Sequence, residues 1–328
     1  MGETAWPVRI GVLLWTERTS WPHLRAAAEL AEKSGVDSIW LSDHVFAATG
    51  EDTDPCFEPW TALAALAAVT NTATLGPLVC AVGLRNPGIT AKMAATLDHI
   101  SGGRSILGLG SGWSVREFTA HGIPWEPSAA DRIARLDEAA GIIQRLLAGE
   151  TVSHHGRFYD LDEASQSPQP LRAKVPLLIG GEGRKHTLDV VARRADLWNA
   201  RGSVAALLEH DRALREHCAR VGREPDEIER TSNRWITIRD DGGQAQRVLT
   251  ESLQRHGLTS YDEDIVALGS LPDVAEQLAP TVTAGFRHII VSFREPFDMS
   301  SIEQLGALRD LLKQRASPED TVTQDTDG

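Results

Sequence analysis

"SWPHLRAAAELAEKSGVDSIWLSDHV", residues 20–45, holds one complete helix-to-strand step and ends on two residues that a buried strand does not need. Leu24, Ala27, Ala28 and Ala31 recur every three or four positions and share a face, and Gly35 stands where a left-handed cap closes a helix. The apolar run at 37–42 is long enough for a strand and too short for an independent helix. Asp43 and His44 follow it at once.

The same step repeats on either side. Short β-rich runs fall at 8–14 (VRIGVLL), 74–82, 104–109, 176–180, 196–200, 232–238 and 287–293 (RHIIVSF), with helical patterns between them. The clearest helix starts at Ser128. Its apolar positions Ile133, Leu136, Ala139, Ala140, Ile143, Leu146 and Leu147 share one face, and Ser128 and Asp131 read as a capping pair. Eight such alternations in 328 residues predict a (β/α)8 TIM barrel, since parallel strands need helical crossovers and closure removes both sheet edges. A doubly wound sheet is the runner-up.

Segments 43–58, 111–127 and 150–174 exceed ordinary connections and read as insertions at the C-terminal mouth, with a further polar segment at 239–265. "TVSHHGRFYDL" inside the third alternates as a small hairpin does. Pro280 lies within the helical pattern "LPDVAEQLAPTVTAG" and is expected to kink or split it. The expected organisation is a single domain over residues 1–315 followed by a disordered acidic tail, 316–328.

Composition narrows the partners. A net charge of -13 repels nucleic acid and anionic membranes, so neither is expected, and small molecules remain. No apolar run reaches the ~20 residues of a membrane span, and the start lacks the basic and apolar regions of a signal peptide. A cytoplasmic protein is expected. Cys56, Cys80 and Cys218 are too scattered for a disulfide framework, and no Cys pair has zinc spacing. His154 and His155 alternate across a strand, which argues against a shared metal. The oligomeric state is not legible, and a homodimer is compatible with all of this.

The C-terminal ends of barrel strands carry the active site, and Asp43 and His44 fall there. His exchanges protons near neutral pH, and a neighbouring carboxylate can bind a heterocycle. The alternative is that Asp43 caps a turn and His44 packs beside it. "LGLGSGW" (107–113) lacks dinucleotide and P-loop spacing, because Trp113 stands where a third glycine would. It reads instead as a strand end where backbone lets a bulky ligand approach, with Trp113 as a wall. "IGGEGRKHT" (179–187) follows a strand and opens a helix, so its amides could hold a phosphate; a tight turn is the other reading. "GPLVCAVGLRNPG" (76–88) reads as a buried strand and turn. Trp15, Trp113, Trp125 and Asn199 point to a largely apolar substrate pocket with few polar anchors.

"RNPGITAKMAATLDHISGGRSILGLGSGW" (85–113) and "PLLIGGEGRKHTLDVVARRADLWN" (176–199) resemble two signatures of the bacterial luciferase-like superfamily, in matching order over residues 8–315. The resemblance implies a TIM barrel that binds FMN or the deazaflavin coenzyme F420 at its mouth. "WLSDHV" and "LGPLVCAVGLRNPGITAKMAAT" look most like the F420-dependent branch. By that resemblance Asp43 contacts the deazaflavin ring, His44 transfers the proton, and a non-proline cis peptide at Leu78–Val79 supports the ring. Gly180, Gly181, Glu182 and Gly183 receive the phosphate, and Arg116 and Glu117 lie near the cofactor.

Trp113 replaces the Glu found in that branch's glucose-6-phosphate dehydrogenases. That argues against a sugar-phosphate substrate and leaves any second acid or base unassigned. The expected activity is hydride transfer between F420 and a small, largely apolar substrate. An FMNH2-dependent monooxygenase is the alternative, and a non-catalytic flavin-binding barrel the third reading.

Overall fold

The computed structural model describes residues 6–49, 51, 53–258 and 260–316. Apart from Ala316, the expected disordered tail lies outside the described residues. In chain order the elements are β1 (Arg9–Leu14), α1 (Trp21–Ser34), β2 (Ser38–Leu41), α2 (Pro59–Ala67), β3 (Thr74–Pro77), β4 (Cys80–Ala81), α3 (Pro87–Ile100), β5 (Leu107–Gly110), α4 (Val115–Ala120) and α5 (Ala129–Leu147). A hairpin, β6 (Val152–His155) and β7 (Asp160–Ala164), follows. The chain resumes with β8 (Leu177–Gly180), α6 (Thr187–Arg194), β9 (Leu197–Ala200), α7 (Val204–Val221), β10 (Glu229–Ile238), α8 (Gly242–Arg255), β11 (Val266–Gly269), α9 (Leu271–Thr283), β12 (His288–Phe293), α10 (Met299–Ile302) and α11 (Leu305–Arg315).

The parallel strands run in the order β3-β2-β1-β12-β10-β9-β8-β5-β4. The two ends of that path, β3 and β4, are halves of one barrel stave separated by Leu78 and Val79. The sheet closes there, with the Leu75 amide donating to Arg104 O at 2.9 Å and the Ile106 amide to Leu75 O at 2.8 Å. The result is the expected barrel and not a doubly wound sheet. Side-chain alternation sorts the core: on β1, Ile10, Val12 and Leu14 face the helices, while Leu13 joins Trp40, Leu78, Ile106, Leu178, Leu197 and Ile290 in the lumen. Each fully buried Leu or Ile contributes ~1.5–3 kcal/mol.

Local chemistry sets the helix boundaries. Ser20 caps α1 and Gly35 ends it at φ 90°, and the Ser128 hydroxyl accepts from the Asp131 amide at the start of α5.

Two expectations need correction. The polar segment 239–265 contains α8, and β11 follows directly, pairing outside the barrel path. Pro280 does not split α9, which continues to Thr283, where the Ala284 amide closes on Pro280 O at 2.9 Å. The carbonyl that Pro280 leaves without a donor belongs to Glu276, an exposed residue, so water can satisfy it.

β10 has a divided allegiance. Its residues Thr231–Arg234 pair with His288–Val291 of β12, but Trp235–Ile238 pair with Val266–Gly269 of β11. The barrel wall therefore opens between β10 and β12 at the C-terminal end.

Candidate active site

β2 ends at Leu41 and delivers His44 to the mouth, where α4 meets it. The His44 Nδ1 lies 3.1 Å from both carboxylate oxygens of Glu117, and the Val45 amide donates to Glu117 Oε1 at 2.7 Å. Glu117 has only 5% of its side chain exposed. Burial pushes its carboxyl up, but the His44 hydrogen bond and charge and the Val45 and Phe46 amides outweigh burial and leave it below the usual carboxylate value. An ionised carboxylate only accepts, so His44 carries a hydrogen on Nδ1, and Nε2 is the ring nitrogen that Glu117 does not engage. The insertion 111–127 thus supplies an orienting carboxylate in Glu117, which the resemblance placed only near the cofactor. Its sequence signal is weak: a Glu on a short helix after a glycine-rich strand end.

Aromatic rings hold the imidazole from two further sides. Trp15 stacks on His44 with ring centroids 6.0 Å apart and planes 9° apart, and Trp113 meets it edge-on at 5.4 Å. Trp15 is pinned by its indole N–H to Ser292 Oγ at 2.8 Å, and the Arg294 guanidinium lies 3.6 Å from its ring centroid. Burial pulls the Arg294 guanidinium below its ordinary value, opposed by its ion pair with Glu17. Trp113 is 64% exposed, so it is a rim over the imidazole and not an enclosed wall.

Asp43 takes a different place from the one expected. Its carboxylate has no exposed surface, and Arg85 holds both oxygens, Nη1 to Oδ2 at 2.7 Å and Nη2 to Oδ1 at 2.9 Å. A carboxylate so enclosed has nothing to offer a ligand in the mouth. Arg85 Nη2 also reaches Glu58, whose carboxylate caps α2, so the pair ties the end of β2 to the start of that helix. Burial pulls the Arg85 guanidinium down, but Asp43, Cys80 and Glu58 outweigh it and raise it. The "LRNPG" turn, read as nothing more than a turn, holds the counter-ion.

The Leu78–Val79 peptide is cis, as the resemblance placed it. The neighbouring glycines turn out to serve Val79. A Cβ on Gly110 would sit 2.5 Å from Val79 Cγ2, one on Gly180 3.1 Å from Cγ1, and one on Gly108 2.1 Å from Pro77 O. Gly108 and Gly110 therefore accommodate the third stave and not an incoming ligand. Val79 fills the seat they leave, as an apolar floor beneath the mouth.

In the second glycine loop the Gly181 amide is already spent on Asn199 O at 3.1 Å, so it cannot hold a phosphate. Gly180 is the last residue of β8, Glu182 accepts from the Arg201 amide at 2.9 Å, and Gly181 at φ 132° lies against Thr187 at the start of α6. Beyond the loop the α6 N-terminus begins, where the N-cap residue His186 makes no side-chain cap and Arg184 pairs with Glu209 at 2.5 Å.

The remaining candidates scatter. Asn199 is buried at the end of β9 and donates to Thr231 Oγ1 at 2.8 Å. Trp125 packs edge-on against Phe118 at 5.0 Å and under Arg132, and the Arg116 guanidinium lies 5.1 Å from the Phe46 ring centroid. His154 pairs with Glu138 and His155 with Asp160. No helix among the described residues is long and apolar enough to cross a membrane.

The sequence profile described as luciferase-like monooxygenase matches residues 5–292, and the chain belongs to that family. An F420-dependent glucose-6-phosphate dehydrogenase of Nakamurella multipartita is 32% identical over 246 residues, 74% of this chain and 71% of that protein. Among solved structures, an F420-dependent secondary alcohol dehydrogenase in complex with an F420–acetone adduct superposes with a TM-score of 0.83 at 20% identity, covering 94% of this chain and 99% of that one. A riboflavin lyase with modified FMN and riboflavin superposes with a TM-score of 0.80 at 16% identity, covering 94% and 92%. At these identities the structural likeness shows the luciferase-like barrel, and it is shared by proteins holding either kind of flavin.

Proposed function

We propose that this protein is an F420-dependent oxidoreductase that moves a hydride between the deazaflavin and a small, largely apolar substrate. The observation that carries the reading is the buried Glu117 carboxylate on His44 Nδ1 at a barrel mouth floored by Val79. The residues fit such a cofactor: an apolar seat for a planar ring, aromatic sides, and a cationic helix N-terminus for an anionic tail. When bound, F420 supplies a two-electron hydride donor or acceptor. Oxidising an alcohol sends the hydride from carbon to the cofactor and the hydroxyl proton to His44 Nε2, the atom this chain offers for it; reducing a carbonyl runs the same transfer backwards from an imidazolium that carries a proton on both nitrogens. Glu117 fixes the tautomer, Trp15 and Trp113 fix the ring plane, and Asp43 with Arg85 anchors the strand end. Val79 supports the ring, and the α6 N-terminus with Lys185 takes the phosphate. The F420-dependent relative supports the cofactor assignment.

The reading includes one barrel domain over residues 1–315 in a cytoplasmic enzyme, and a homodimer through α2 and α3. Exposed Ile89 and Ile100 on α3, and a 630 Å3 groove between those helices, support the dimer. The test is a side-by-side titration in which F420 binds at least tenfold more tightly than FMN, about 1.4 kcal/mol. Tighter FMN binding overturns the cofactor assignment in favour of the monooxygenase. His44→Ala is expected to keep F420 affinity while turnover falls by roughly 10² to 10⁴.

A further inference from the structure

The opening between β10 and β12 is not empty wall. A cavity of about 290 Å3 lies there, bounded by the C-terminal ends of the two strands, by α8 and by residues 296–299. Trp235 and Arg294 line it, and the Arg294 guanidinium that faces the Trp15 ring at 3.6 Å also lies 6.0 Å from the Trp235 ring centroid. Trp15 in turn stacks on His44.

Its two inner arginines are both paired. Arg239 is held by Asp298, Nη2 to Oδ1 at 2.9 Å and Nη1 to Oδ2 at 3.2 Å, and Arg294 by Glu17. Glu251 and Arg255 stand one turn apart on α8, both exposed at the rim. Much of the remaining lining is apolar, with Leu249, Leu253, Phe293 and Phe297 among it.

We propose that this side cleft seats an uncharged, ring-sized apolar part of the substrate, with Trp235 and Arg294 on the side that the Trp15–His44 stack reaches. The proposal rests on the hydride-transfer reading of the mouth and deepens it. A volume of about 290 Å3 is at the lower end of small-molecule sites, which suits a single fused or bridged ring system. A phosphate entering the cleft would have to displace Asp298 or Glu17 from its arginine to gain a buried cation, and would meet the displaced carboxylate. The cleft thus selects against sugar phosphates by the pairing of its arginines and for apolar rings by lining.

The experiment uses the full chain with 1-indanone as the apolar probe and glucose 6-phosphate as the charged one. Binding is followed by ligand-observed NMR saturation transfer, and F420 binding by a separate titration. Wild type is expected to bind 1-indanone and to show no displacement of it by glucose 6-phosphate. Ser252→Phe, which fills the cleft from α8, is expected to weaken the probe at least tenfold while F420 affinity stays unchanged. Met299→Trp, which fills it from α10, is expected to do the same and guards against a folding defect in the first variant. No 1-indanone binding by wild type, unchanged binding in both variants, or displacement by glucose 6-phosphate overturns the cleft assignment. Should F420 fail to bind while the probe and variants behave as expected, the cofactor reading falls and the cleft stands.

Discussion

Replacing Glu117 by Gln tests the tautomer argument most directly. The side chain is nearly isosteric, and Oε1 can still accept from the Val45 amide, which lies 2.7 Å away in the wild type. What changes is the group facing His44 Nδ1, now at 3.1 Å from both carboxylate oxygens. A Gln amide holding Val45 with its oxygen presents its NH2 to the imidazole, so Nδ1 must become an acceptor and the hydrogen moves to Nε2. In the oxidative direction the atom that receives the proton then already carries one. Loss of a buried charge-assisted hydrogen bond costs about 1.5–3 kcal/mol of stability. A misplaced proton partner is expected to cost roughly 10² to 10⁴ in turnover, about 2.7–5.4 kcal/mol in the barrier.

The assay needs no substrate. Nitrogen-15 correlation spectra of the His44 ring distinguish a protonated Nδ1 from a protonated Nε2, and the expected result is Nδ1–H in wild type and Nε2–H in Glu117→Gln. The pH dependence has a defined sign. The folded Glu117 carboxyl lies below its ordinary value of 4.5, so its stabilisation is complete above that value and is lost as pH falls through the folded-state value. The stability gap between wild type and variant should therefore narrow below about pH 4.5. The same tautomer in both proteins would refute the reasoning.

Other perturbations separate the supporting parts. Asp43→Ala leaves the Arg85 guanidinium half stranded and should destabilise by about 3–5 kcal/mol in a denaturant titration; a loss under 1 kcal/mol would mean that Arg85 finds another partner. Gly110→Ala places a methyl 2.5 Å from Val79 Cγ2, and an overpacking cost of about 1–3 kcal/mol is expected, read as a lower thermal midpoint. Gly181→Val forces a branched side chain to φ 132° against Thr187 and should weaken F420 binding through the displaced α6 N-terminus; unchanged affinity in the titration would place the phosphate elsewhere.

The barrel was legible in the sequence because it rests on local regularities. Period-two and period-3.6 patterns, the Gly35 and Ser128 caps, and the strand-end position of Asp43 and His44 all act over a few residues. Pattern reading failed where a local rule met a tertiary allowance, as at Pro280, or where a strand lies outside the barrel order, as with β11. The family signatures located the Leu78–Val79 cis peptide and the glycine loops, but not what the glycines do, because close approach of a side chain from another stave leaves no mark on its own segment.

The site's working pairs were decided by the tertiary structure. Glu117 lies 73 residues from His44, Arg85 42 residues from Asp43, and Glu17 277 residues from Arg294. Charge type is written in the chain, but which opposite charge closes on it depends on barrel closure bringing distant strand ends to one mouth. The same closure decides which groups stay available: it buries Asp43 against Arg85 and gives His44 Nδ1, not Nε2, to Glu117. The side cleft has the same origin, since a strand that changes partners midway opens a wall that no stretch of its own sequence announces.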